Sequence, residues 1–230
     1  LGQKEKERLA SCPELLKNAE EQLEKIVQTR KDFVEKYECN LLKQFAGFAK
    51  RGRIEILASC GTHAFLPHYA DMPEVLNAQV ETGIMSHRHF FGRAPDGFWL
   101  PYMGYVKGIE RTLRSYGINY TVLDTHGILF SENAPKTGIF VPDRCWNSLV
   151  VFGRDGEASQ KINGCEGFSS NPVYKNQEKD IGFELEESEL EGFLQPDSPR
   201  SNTLFRYWSK KDDSDSPYDS KKALEQAKID

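Results

Sequence analysis

The apolar positions fall into two rhythms. From residue 4 to about residue 50 they recur at three- and four-residue steps, through Leu15, Leu16, Ala19, Leu23, Ile26 and Val27 and then Leu41, Leu42, Phe45, Phe48 and Ala49. That spacing predicts helix. Ser11 with Glu14 three residues on fits a capping box, and Arg51-Gly52 fits a glycine stop. After residue 53 the pattern shortens. IEILAS (54–59), GFWLP (97–101), YTVLD (120–124) and SLVVFG (148–153) are brief apolar runs that end in polar loops, and each reads as a buried strand. Between them lie helical stretches over Pro73–Phe91, with Val75, Leu76, Val80, Ile84 and Met85 on one side, and around Gly108–Tyr116.

Strands alternating with helices predict parallel βαβ units, in an open sheet or a barrel. Such folds present their chemistry at the carboxyl ends of the strands. Four strand ends carry suitable side chains: Ser59 to His63, Tyr102, Asp124 with His126, and Arg154 with Asp155. The chain therefore divides into a helical segment (1–53), a βα core (54–164) and a loop-rich, acidic segment (165–230). In the last of these, SKKDDSDSPYDSKK reads as an exposed loop, Glu184 to Glu191 as a solvated charged face, and SKKALEQAKID as the start of a helix.

Composition narrows the classes. The 230 residues are 38% hydrophobic, enough for a sizeable core. No run approaches the roughly 18 apolar residues of a membrane span. The net charge of −5 and the scattered lysines and arginines argue against a nucleic-acid track. The five cysteines form no CxxC pair, which points to free thiols and a cytoplasmic location rather than a disulfide framework or zinc site. His87 and His89 are two apart in a helix and do not share a face, so no metal site is expected there. Cys60 lies near His63 in SCGTH, but a buried inert thiol is the expectation. No glycine-rich phosphate loop is present, and no cofactor is expected.

A series of motifs, in order, carries a resemblance: IEILASCGTHAFLP (54–67), HFFGRAPDGFWLP (89–101), GINYTVLDTHG (117–127), VVFGRDGEAS (150–159) and GFSSNPVYKNQEKDIGFEL (167–185). Together they resemble glycoside hydrolase family 57, and within it the α-1,4-glucan branching enzymes. The resemblance implies an α/β fold, a partial or degenerate (β/α)7 barrel with parallel strands and a helical N-terminal segment. It implies retaining chemistry on an α-glucan or maltooligosaccharide, with a Glu nucleophile and an Asp acid/base. It also implies a substrate-binding set of His63, Trp99, Tyr102, His126, Arg154, Asp155 and Phe168.

Three departures bear on that chemistry. The family's Glu nucleophile is replaced by Tyr102, a phenol with a reference pKa near 10 and so a weak nucleophile at neutral pH. The family's first-strand HxHQP motif and its downstream acid/base Asp have no counterpart, so the chain is expected to be the middle of a longer protein, with open sheet edges that favour dimerisation. The family's EGYP-like turn matches Glu166, Gly167, Phe168 and Ser169, which replaces its tyrosine by Phe168. The expectation is a branching-enzyme-like domain without catalysis. Its rivals are a binding or regulatory protein on the same fold, and an active enzyme with altered chemistry.

Overall fold

The computed structural model describes residues 1–193, 199–210 and 216–230. The chain forms two compact units: Asn40–Ser159, and Leu1–Cys39 together with Gln160–Asp230. The helical stretch at 1–53 is thus shared between them.

The Asn40–Ser159 unit holds a sheet. Helix α3 (Leu41–Lys50) leads to β1 (Ala58–Ser59), α4 (Pro73–Phe91), β2 (Gly97–Trp99), α5 (Ile109–Ser115), β3 (Tyr120–Leu123), α6 (Thr125–Leu129), β4 (Asp143–Arg144) and β5 (Val150–Gly153). The described sheet has the order β1-β2-β3-β5-β4. The first four of these run parallel, with Ser59 opposite Trp99, Phe98 opposite Thr121, and Leu123 opposite Gly153. Only β4 is antiparallel. The sheet is mostly parallel, as the alternating pattern predicts, and it is open rather than closed over the described residues.

Its core is continuous across strands and helices, from Ala58, Phe98, Leu100, Leu123 and Val151 to Leu76, Val80, Ile84, Ile109 and Leu113. On α4 the inward stripe is Leu76, Val80, Gly83, Ile84 and His87. Met85, predicted to face inward, lies one residue round from Ile84 and is exposed. Gly83 lets the helix settle onto β1: a Cβ there would lie 1.7 Å from the Ser59 carbonyl oxygen. The ends of α4 follow its sequence, with Pro73 in the first turn and Gly92 at φ +68° closing it. Helix α3 ends in a Schellman arrangement, with Arg53 N–H bonding Phe48 O and Gly52 N–H bonding Ala49 O, both at 3.0 Å.

Several expected elements are shorter or differ. The run at 54–59 pairs only at Ala58–Ser59, and GFWLP only at Gly97–Trp99, because Pro101 starts a tight 3-10 turn over Pro101–Met103. The run at 148–153 pairs from Val150, since Ser148 sits at φ +67°. The segment containing His126 is the helix α6, not a loop. β4 is two polar residues and carried no apolar signal.

The other unit is helical. It contains helices α1 (Gly2–Arg8), α2 (Pro13–Lys31), α8 (Ile181–Glu184), α9 (Glu187–Leu190) and α10 (Ser220–Gln226), and the end of α7 (Gly156–Asn163), with α1 packed on α2. The helical stretch over 4–50, expected as two runs, forms α1, α2, a π-helical turn and α3. Cys12, not Ser11, stands at the N-cap of α2, and no side chain caps it: starting the helix at Pro13 puts Glu14 at the second helical position, so the Ser11–Glu14 spacing does not form a capping box. Past α2 a π-helical turn over Asp32–Lys36 ends at Glu38 and Cys39, both at positive φ, before Asn40 Oδ1 accepts from Lys43 N–H and caps α3. Val27, expected on the apolar stripe, is exposed; Leu15, Leu16, Leu23 and Ile26 pack with Leu9, Ala19, Ile181, Phe205 and Tyr207.

Polar side chains bind this unit internally. Tyr207 donates to Glu5 Oε2 at 2.8 Å, and Arg8 grips the same buried carboxylate through two nitrogens. Asp180, fully buried, accepts from Gly182 N–H, Thr203 N–H and hydroxyl, Leu204 N–H and Arg206 Nε. Burial alone would raise its pKa; the donors from Thr203, Gly182 and Leu204 outweigh burial and hold it below the usual carboxylate value. The acidic run 184–191 is mainly exposed, with Leu190 its buried anchor. The expected exposed loop at 209–222 differs in part: Trp208 pairs with Pro217 and residues 216–220 are half-buried, while 211–215 lie outside the described residues.

Two predictions follow from this packing. Gly83→Ala gains about 1 kcal/mol of helix propensity but forces α4 off β1, so urea unfolding should show a net loss of about 1–3 kcal/mol. An unchanged midpoint would contradict the close approach. Asp180→Ala should cost about 3–5 kcal/mol by leaving buried donors and the Arg206 charge uncompensated. Because its folded pKa is depressed, the Asp180 contribution is whole above the unfolded value near 3.9 and disappears as pH falls through the folded value. Acid unfolding of the Asp180→Ala chain should therefore be less steep than that of the natural one.

Candidate functional site

The parallel strands deliver four loops to one edge of the sheet, in the order of the strands. The loop after β1 carries Cys60 and His63, that after β2 carries Tyr102, the start of α6 follows β3 with Asp124 and His126, and β5 is followed by Arg154 and Asp155.

The β1 and β2 loops meet through aromatic rings. The His63 and Tyr102 rings lie edge-on with centroids 5.6 Å apart, and Phe65 approaches Tyr102 at 6.2 Å and His68 at 5.0 Å. Gly104 makes room for this: a Cβ there would lie 2.4 Å from the Phe65 ring. Tyr102 itself is 72% exposed. His63, Tyr102 and Met103 all have left-handed backbone, at φ +54°, +56° and +53°. Non-glycine residues in that region cost of order 1–3 kcal/mol each and persist where surrounding structure fixes them; such residues cluster at functional sites. Here Met103 N–H bonds Leu100 O at 2.8 Å and Gly104 N–H bonds Pro101 O at 3.0 Å. Trp99 is half-buried beside the group, and its carbonyl accepts from Ser59 Oγ at 3.0 Å.

The carboxylates along the edge have structural partners. Asp124 caps α6 by accepting from Thr125 N–H at 2.7 Å, and it forms an ion pair with Arg154. His126 Nδ1 stands 3.9 Å from the same carboxylate, with its ring mostly in solvent. Asp155 accepts from Ala158 N–H at 3.0 Å and opens α7. Arg154 thus pairs across strands with Asp124. Phe168 belongs to the helical unit, where it begins a short 3-10 turn.

Two groups read from the sequence take ordinary core roles. His87 is buried, and its ring nitrogens face the carbonyls of Arg93 and Ile56, each at 3.1 Å. Cys60 is buried, and desolvation pushes its thiol pKa up to about 11, with a partial offset from backbone hydrogen bonding. Among the described residues no group of three or more potential metal ligands comes together, and no helix is long and apolar enough to cross a membrane.

One residue was not legible in advance. Glu110, in the first turn of α5, is buried and accepts from the Tyr105 hydroxyl and Gly108 N–H, both at 2.9 Å, and from Trp146 Nε1 at 3.4 Å. Its own carbonyl accepts from Asn147 Nδ2 at 2.7 Å. It ties the loop after β2 to residues 36 and 37 positions later. The available signal was Gly108, whose φ of +101° permits the turn that brings the carboxylate back onto its own loop.

Fold and edge together define an α/β protein with an aromatic and polar face at the carboxyl ends of a parallel sheet. The chain belongs to glycosyl hydrolase family 57, whose model matches residues 4–177. It is similar to the α-amylase AmyC from Thermotoga maritima, with TM-score 0.87 and 29% identity over 99% of this chain and 45% of that one. It shares the fold of the family 57-type branching enzyme from Pyrococcus horikoshii, with TM-score 0.76 and 22% identity over 99% and 42% of the two chains. In sequence it is 28% identical to the 1,4-alpha-glucan branching enzyme TK1436 of Thermococcus kodakarensis, across 39% of this chain and 15% of that protein. The chain spans less than half the length of these relatives.

The high thiol pKa separates Cys60 from its exposed counterparts. At pH 7–8, iodoacetamide should modify Cys12, Cys39 and Cys165 and leave Cys60 unlabelled until the chain unfolds. Native labelling of Cys60 at a rate matching Cys12, read by peptide mass spectrometry, would show a reactive thiol beside His63.

Proposed function

We propose that this chain is an α-glucan-binding domain of the branching-enzyme type whose own residues do not carry out glycosyl transfer. The observation that carries the reading is Tyr102, exposed at the end of β2 on a strained turn against His63 and Phe65, at the position the motif resemblance aligns with the family nucleophile. Retaining chemistry needs a nucleophile and an acid/base carboxylate about 5–5.5 Å apart. Asp124 and Asp155 are each committed to a helix start, and Asp124 also to Arg154. An exposed aromatic ring with imidazole and guanidinium groups on the same sheet edge suits a sugar's apolar face and its hydroxyls. The names of two relatives, a 1,4-alpha-glucan branching enzyme and an α-amylase, support an α-glucan as ligand class.

In this reading the parallel sheet is part of a (β/α)7 barrel. His63, Trp99, Tyr102, His126 and Arg154 face the glucan, and Asp155 holds its loop. The location is cytoplasmic.

Calorimetry with maltoheptaose, alongside iodine-stain and reducing-sugar assays on amylose, tests this. Binding with a Kd of about 1 mM, or about −4 kcal/mol, is expected without turnover. Tyr102→Ala should weaken binding about tenfold, and Tyr102→Glu alone should not start turnover. Branching or hydrolysis by the natural chain would overturn the reading in favour of altered chemistry. Absence of binding would leave the fold as the only inheritance and favour a regulatory partner.

A further inference from the structure

The helical unit contains a cavity of about 610 Å³ lined by α2, the π-helical turn after it and the segments around residues 175 and 204. One stripe of α2, Gln22, Ile26 and Thr29, forms a wall at steps of four and three residues, and Phe33 in the following π-helical turn extends it. Lys25 and Arg30 flank that stripe, and Lys175 and Arg206 face it. Its lining among the described residues contains four cations and no carboxylate.

The cations are arranged, not scattered. The Arg206 guanidinium is fixed by Asp180, Gln177 and Asn202, which use three of its five N–H donors and leave the others available. The Lys175 ammonium lies 4.8 Å from the centre of the Tyr218 ring. Burial, Lys25 and Arg206 all disfavour its charge, and Glu21 only partly offsets them. The apolar side of the cavity is equally deliberate. Leu204 stands at φ +70°, a backbone region that L residues rarely adopt, yet the residue is 58% exposed. The bond from Leu204 N–H to Asp180 holds it there. Strained backbone held by surrounding structure is found at active sites, ligand clamps and switch regions.

We infer that this cavity binds a small phosphate ester with a flat or apolar body, a nucleoside phosphate, with Lys25, Lys175 and Arg206 on the phosphate and Phe33, Leu204 and Ile26 on the base. The volume falls in the range of small-molecule sites. A dianionic phosphate satisfies the clustered ammonium and guanidinium donors, and Arg30 and Phe33 offer planar faces for stacking. This site is independent of the sheet edge and of any glucan.

Calorimetric titration of the full chain with AMP, inorganic phosphate, adenosine and glucose 6-phosphate tests the inference. AMP should bind saturably and more tightly than either fragment or the sugar phosphate. Its affinity should fall as salt is raised, as expected for a partly exposed charge cluster. Lys175→Met and Lys25→Gln should each weaken AMP about tenfold. Lys25 is exposed on α2, so Lys25→Gln keeps the test valid if Lys175→Met fails to fold. Three results would overturn the inference: no saturable AMP binding, phosphate or glucose 6-phosphate binding as tightly as AMP, or unchanged AMP affinity in Lys25→Gln.

Discussion

Parallel pairing of β1, β2, β3 and β5 is the constraint on which the sheet unit depends. In a parallel ladder every strand leaves the sheet on the same edge, so each must be followed by a return crossover. Helices α4 and α5 make two of those returns, and their apolar stripes meet the strands in one core. The loops that start each return necessarily gather at the carboxyl edge. His63, Tyr102, Asp124 and Arg154 are neighbours there because their strands are neighbours, although 91 positions separate the first from the last. The ladder holds only if α4 lies close over β1, and Gly83 makes that approach possible.

The helical unit rests on a different kind of order. Its apolar cluster is modest, and buried polar groups do much of the joining: Glu5 with Tyr207 and Arg8, Gln22 with the backbone of Arg206, and Asp180 with the turn at 203–206. Such networks stabilise when every member is satisfied and are costly when one is missing. Among the described residues no buried side-chain polar atom lacks a partner. The same network that fixes the turn also fixes Leu204 and Arg206, so the architecture of the unit and its cavity have one cause.

Features with local causes were legible in the sequence. Helix α4 was readable because Pro73 and Gly92 punctuate it and its apolar residues repeat at helical spacing. The strand ends were readable because short apolar runs give way to polar residues. Features with distant causes were not. The break after α2 is made by Glu38 and Cys39 in left-handed backbone, and neither residue type announces such a turn. The Asp180 network joins residues up to 26 positions apart, and Glu110 reaches Trp146 across 36. At the site, the residues on the strand ends could be named in advance. The packing of Phe65 against Gly104, which brings His63 and Tyr102 together, could not.

The turn at the end of β2 separates shape from chemistry. Its left-handed backbone is set by Pro101, by the bond from Met103 N–H to Leu100 O, by the bond from Gly104 N–H to Pro101 O, and by the space Gly104 leaves for Phe65. None of these involves the Tyr102 side chain. A different side chain at position 102 would take up the same exposed position and neighbours without disturbing the turn. The carboxylates of Asp124 and Asp155 on the strand ends act as helix caps, a structural role that by itself accounts for their place at the edge. The outline of this face is therefore set by backbone and packing that do not depend on which side chain stands at position 102.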